Sequence, residues 1–292
     1  MSPSKGQAWL AAIRLATLPA AAGPVAVGTT LAAADGRAHA PTALLCLAVA
    51  LLLQIGTNLH NDAADHARGA DTSERLGPPR AVAQGWLTSQ AVERAAMASF
   101  ALAAIAGLGL VLRGGVPLLV LGLASIASGL AYTGGRVPLA YRGLGDVFVL
   151  LFFGVVAVCG SYYAQARALD LAALGCSLAV GALATAILVV NNLRDREADA
   201  RAHKRTLVVR YGASFGRMEY AALLAFAYAV PVALFVGRQH PGWLLPLLTL
   251  PVAVRRLLRV QRRDGAALNP ELGATARLGL AFSALLAVGV LL

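Results

Sequence analysis

Two acidic clusters carry the most informative chemistry in this chain: Asn58, Asn61, Asp62, Asp65 and Asp71 in one stretch, Asn192, Asp195 and Asp199 in another. At helical spacing Asn61 and Asp65 share a face, as do Asp62 and Asp65, and so do Asp195 and Asp199. Carboxylate and amide oxygens converging at a helix end suit Mg2+, a hard ion that keeps water and binds jointly to carboxylates and substrate phosphates. Asp65, Asp195 and Asp199 are the leading catalytic candidates. Arg and Lys flank both clusters, so a diphosphate fits the pattern better than a bare ion. Lys204 is the first candidate for its oxygens, followed by Arg194, Arg205 and Arg136. Asn58 and Asn192 either touch substrate or cap helix ends. Asp146, just after the Gly143-Leu144-Gly145 turn, either orients a substrate or pairs with Arg142.

The elements that must position these residues are membrane spans. At 58% hydrophobic, 13% charged and mean hydropathy +0.69, the 292-residue chain is too apolar for an ordinary soluble domain and too long for one anchor. It reads as a single all-helical integral-membrane domain over 1–292, with nine spans near 8–34, 41–61, 89–112, 116–133, 145–165, 169–193, 218–237, 241–258 and 273–292. The eighth is the weakest, because Pro246, Pro251 and Arg255 interrupt it. Arg14, Pro19, Pro24 and its length mark the first as a retained span, not a cleaved leader. Both clusters open connections, about 62–88 and 194–217, that are long for a helical bundle.

A cytoplasmic N-terminus leaves only Arg37, Arg113, Arg167 and Arg238 of the 25 Lys and Arg outside, places both clusters on the inner face and puts the C-terminus outside. The same rule accounts for the net charge of +11 and excludes nucleic acid as the reason for it. Cys46, Cys159 and Cys176 fall inside spans without ligand spacing. Phe148 and Phe152 share a face of the fifth span, with Tyr162 and Tyr163 further along. They either pack or shelter a cation.

Three segments together resemble the UbiA-type intramembrane prenyltransferases, most closely their 1,4-dihydroxy-2-naphthoate branch in menaquinone synthesis. They are QIGTNLHNDAADHARGADTSERLGPPR at 54–80, YTGGRVPLAYRGLGDVFV at 132–149 and VVNNLRDREADARAHKRTLVVRYG at 189–212. The resemblance implies about nine transmembrane helices around a central cavity, capped on the cytoplasmic side by the motif loops. It implies Asn61, Asp62, Asp65, Asp71, Asp195 and Asp199 as Mg2+ ligands, with Lys204 and Arg205 following the second motif. His203 stands where many relatives have Gly, and Arg136 where many have Pro. The implied reaction joins a polyprenyl diphosphate to 1,4-dihydroxy-2-naphthoate with loss of CO2, giving demethylmenaquinone, in the cell inner membrane. Transfer to 4-hydroxybenzoate or homogentisate remains open on the sequence. A secondary transporter fits less well, since its ionisable groups belong near the bilayer midplane.

Overall fold

The computed structural model describes residues 3–70 and 76–292, and among them it contains helices and no strands. Asp71, expected as a metal ligand, lies outside the described residues. The helices are α1 (Lys5–Ile13), α2 (Leu18–Ala34), α3 (Ala40–Ala67), α4 (Ser89–Gly114), α5 (Val116–Thr133), α6 (Gly145–Val149), α7 (Ala157–Ala166), α8 (Leu171–Arg201), α9 (Leu207–Arg238), α10 (Leu250–Arg262) and α11 (Asn269–Leu291). Seven residues of π-helix, Leu150–Val156, join α6 to α7 into one continuous span.

Eight helical stretches among the described residues are long and apolar enough to cross a membrane, one fewer than the nine expected. The difference is the 241–258 stretch, which is not one long helix yet still returns the chain to the motif side, where Asn269 at the start of α11 meets Arg194. Pro241–Thr249 winds as a 3-10 helix and gives way to α10, a strongly amphipathic 13-residue helix carrying Arg255, Arg256 and Arg259. Proline lacks an amide hydrogen, so Pro246 and Pro251 interrupt the hydrogen-bond ladder that a uniform α-helix needs.

The first span bends where its sequence changes character. Arg14 takes a left-handed conformation (φ 58°) between α1 and α2. Asn58, deep in α3, donates to the Ile13 carbonyl at 2.9 Å and to Thr17 Oγ1 at 2.8 Å, satisfying groups the bend would strand.

Burial ranks the spans. α8 is central, with 67% of its apolar window inside the protein, whereas α5 is peripheral at 6%. The π-helical segment lies directly on α8: a Cβ on Gly154 would come 2.5 Å from the Ser177 carbonyl oxygen, and one on Gly181 would come 2.7 Å from that of Leu150. Only glycine permits that approach. The contact seats the fifth span against the core and leaves its other face, with Phe148, Phe152 and Phe153, toward a cavity of about 320 Å3. Residues of α2, α3, α4 and α5 complete the lining, which is almost wholly apolar.

Candidate functional site

Both motifs lie on helix ends. α3 continues through Asn61, Asp62 and Asp65 to Ala67, and α8 through Asn192, Asp195 and Asp199 to Arg201. Each helix closes in the same turn. Ala70 N–H donates to the Asp65 carbonyl (2.9 Å) and Gly69 N–H to that of His66 (3.0 Å). Lys204 N–H donates to the Asp199 carbonyl (2.8 Å) and His203 N–H to that of Ala200 (3.1 Å). These are Schellman caps, and they require a left-handed residue, here Gly69 (φ 69°) and His203 (φ 55°). The cap explains why glycine suits position 203. It also folds Lys204 back over its own helix, where Nζ lies 3.6 Å from Asp199 Oδ1.

Among the described residues, the side-chain oxygens of the first motif accept from uncharged donors. Asn61 Oδ1 accepts from the Thr133 hydroxyl at 2.7 Å, Asp62 Oδ2 from the Ala81 amide at 3.2 Å, and Asp65 Oδ1 from the Tyr141 hydroxyl at 3.0 Å. Asn58, considered for substrate, is occupied with the α1–α2 bend. Arg68, at the cap, donates to the carbonyls of Thr133 (3.0 Å) and Gly135.

Cations hold the second motif. Arg194, 3% exposed, clasps both oxygens of Asp195 at 2.7 and 2.6 Å. It also donates to Asn191 Oδ1 (2.7 Å) and Asn269 Oδ1 (3.2 Å), and its guanidinium lies against Gly77. A buried guanidinium is tolerable only with its donors matched in this way. Arg194 thus acts within the protein in this structure. Asn192 is buried. Arg205 and Arg136 project from exposed turns, available to solvent rather than tied to either motif.

Tyr141 spans the two ends, and nothing in the acidic patterns announced it. It sits on a short 3-10 turn, Ala140–Arg142, and its carbonyl accepts from the Arg205 amide at 3.1 Å. Gly143 (φ 72°) ends that turn, and a Cβ there would lie 3.0 Å from the Arg205 carbonyl oxygen. The Tyr141 ring carries Arg68 at 5.4 Å and Lys204 at 5.8 Å. Burial, then the charge and hydrogen bond of Asp65, hold its phenol far above the usual tyrosine range, so the hydroxyl stays a donor. The sequence clue was its place inside the 132–149 segment.

Tyr132 marks the boundary with the cavity. It lines the apolar space and lies within electrostatic reach of Asp146, Asp65 and Asp199. Asp146 is buried, and among the described residues its Oδ1 has no hydrogen-bond partner and it forms no ion pair with Arg142. Phe148 and Phe152 stack at 5.9 Å on the cavity wall. Tyr162 and Tyr163 turn elsewhere, to Asp35 and to the Gly114 carbonyl.

No three Asp, Glu, His or Cys side chains among the described residues gather into a ready-made ion cage. The donors are split between two helix ends with cations alongside. That arrangement fits Mg2+ arriving with a diphosphate, because such an ion draws most of its shell from phosphate oxygens and water and needs only one or two carboxylates.

The chain matches the UbiA prenyltransferase family model over residues 21–287. It is 41% identical to the 1,4-dihydroxy-2-naphthoate octaprenyltransferase of Escherichia coli, covering 99% of this chain and 96% of that one. The Mycobacterium tuberculosis protein of the same name is 43% identical over 90% of each. Among solved structures, the apo UbiA homolog from Aeropyrum pernix superposes with a TM-score of 0.72 at 16% identity, covering 93% and 97%. The Archaeoglobus fulgidus UbiA homolog bound to DMAPP and Mg2+ gives 0.65 at 16%, covering 96% and 99%. With its helix order, its paired acidic ends and its full-length relatives agreeing, the chain belongs to the UbiA prenyltransferase family.

Proposed function

We propose that the protein transfers a polyprenyl group from polyprenyl diphosphate to 1,4-dihydroxy-2-naphthoate, releasing diphosphate and CO2. The observation that carries this reading is Tyr132, which lines the apolar cavity and lies within electrostatic reach of Asp65 of the first motif and Asp199 of the second. A prenyl diphosphate has that same division, a charged head on a hydrocarbon tail. The named relatives supply the acceptor by analogy.

In this reading Asn61, Asp62, Asp65, Asp195 and Asp199, with Asp71, are the residues that would hold Mg2+, which when bound stabilises charge building on the departing diphosphate. Lys204 takes remaining phosphate oxygens, and Arg205 and Arg136 approach from solvent. The C–O bond breaks with its electron pair leaving on the diphosphate. Tyr132, Phe148 and Phe152 face the allylic cation left behind, where desolvated ring faces favour positive charge. The acceptor ring carbon bearing the carboxylate supplies the electrons of the new C–C bond. Loss of CO2 restores aromaticity, so the product is demethylmenaquinone in its quinol form and no external oxidant is needed. Asp146, beside Tyr132, orients an acceptor hydroxyl. The apolar walls exclude water that would quench the cation. The chain works as one domain in the cell inner membrane, its motifs on the cytoplasmic side and its C-terminus outside.

The test incubates purified protein with Mg2+, prenyl diphosphates of several lengths and three acceptors in parallel, with a chelator control. Mass spectrometry should detect a prenylated, decarboxylated naphthalenediol that disappears with chelator. Product from 4-hydroxybenzoate or homogentisate alone would overturn the acceptor assignment. Substrate flux in proteoliposomes without any product would overturn the enzyme reading.

A further inference from the structure

We propose that Tyr141 is a positioning residue that couples the two acidic helix ends around the donor, its hydroxyl fixing the Asp65 carboxylate and its ring holding Lys204 over the diphosphate position. The inference rests on the donor reading above and adds a residue that neither acidic motif contains.

Tyr141 reaches the two ends through different atoms. Its hydroxyl belongs to the first motif, through the 3.0 Å bond to Asp65 Oδ1. Its backbone belongs to the second, through the 3.1 Å bond from the Arg205 amide to its carbonyl. The surrounding turn is locked to the same loop, with Arg210 donating to the Arg142 carbonyl at 2.8 Å and to the Arg205 carbonyl at 3.1 Å. Moving either helix end therefore strains contacts to the other through this one residue.

The chemistry of each contact separates into two effects. One hydroxyl on Oδ1 fixes the rotation of the Asp65 side chain and leaves Oδ2 for another ligand. Asp65 has no ion pair among the described residues. Partners of this kind around a metal-binding carboxylate typically govern metal affinity by 10- to 100-fold. The ring does something different. It draws Arg68 and Lys204 to within 6 Å of its centroid, where its quadrupole attracts a cation without cancelling its charge. Lys204 is thereby kept near Asp199, at an ion-pair distance of 3.6 Å.

Tyr141→Phe and Tyr141→Leu dissect the two effects, because Phe keeps the ring and loses the hydroxyl, whereas Leu loses both. Detergent-purified proteins are titrated with Mg2+ and inorganic pyrophosphate, without acceptor, and binding is read as thermal stabilisation. In Y141F the Mg2+ half-saturation should rise about tenfold, with pyrophosphate affinity at saturating Mg2+ unchanged. Y141L should show the same Mg2+ shift and bind pyrophosphate about fivefold more weakly still. In turnover assays the KM for prenyl diphosphate should follow the same order. Wild-type Mg2+ half-saturation in Y141F would overturn the proposal, as would equal pyrophosphate binding by Y141F and Y141L. A wild-type protein that shows this Mg2+-dependent binding but forms no prenylated product would sink the functional reading alone.

Discussion

α3 and α8 end in the same Schellman turn, each with a motif aspartate three residues before the cap, yet Asp65 takes its bond from a phenol whereas Asp195 is clasped by Arg194 and Asp199 pairs with Lys204 at 3.6 Å. A carboxylate held by a neutral donor keeps its full charge for an incoming cation. One clasped by a guanidinium has that charge partly offset and fixes the surrounding packing as well. Two clusters that look equivalent as sequence are therefore unequal as sites.

Asparagine substitutions test this inequality most severely. Asp65→Asn should lower turnover by about 100- to 1,000-fold with little change in stability, because the amide oxygen still accepts from Tyr141. Asp195→Asn should lose turnover comparably and also unfold more easily, since it leaves the Arg194 guanidinium without its carboxylate. Equal melting curves for the two variants would erase the distinction. Next in size, Arg194→Met removes the guanidinium that clasps a buried Asp195 and should cost about 3–5 kcal/mol by denaturant titration in detergent. A stable R194M protein with weakened donor binding would move Arg194 from the scaffold to the substrate.

Lys204→Ala should raise the KM for prenyl diphosphate about tenfold while leaving the Mg2+ requirement near that of the wild type. An unchanged KM would remove Lys204 from the donor site. The smallest effect concerns the caps themselves. His203→Gly makes the second turn match the first and should relieve at most about 1 kcal/mol of left-handed strain, partly offset by the freer unfolded chain. A destabilised H203G protein would mean that the imidazole makes a contribution beyond filling the turn.

Much of this arrangement was legible beforehand. Long apolar stretches interrupted by charge gave the helices and placed the acids at their ends, since the cost of burying a charge in hydrocarbon is written into every residue of a span. The interruption by Pro246 and Pro251 was visible too, and became a 3-10 segment with a short amphipathic helix. The acidic clusters stood out because carboxylates at the ends of apolar helices need a reason. What was not legible was the division of labour among candidates. Asn58 and Arg194 have the right types and the right neighbourhood, and both are spent on internal partners.

The sequence by itself determined membrane class, helix number to within one, family, and the two helix ends where acidic residues are concentrated, because hydropathy, charge and motif spacing are local properties. Tertiary structure alone decided that Tyr141 meets Asp65 across 76 positions and that Asn269 meets Arg194 across 75. It also decided that Gly154 rests on Gly181 beside the cavity. A hydrogen bond or a glycine contact depends on how whole helices dock, and docking is set by the summed packing of many side chains rather than by the identity of the two that finally touch.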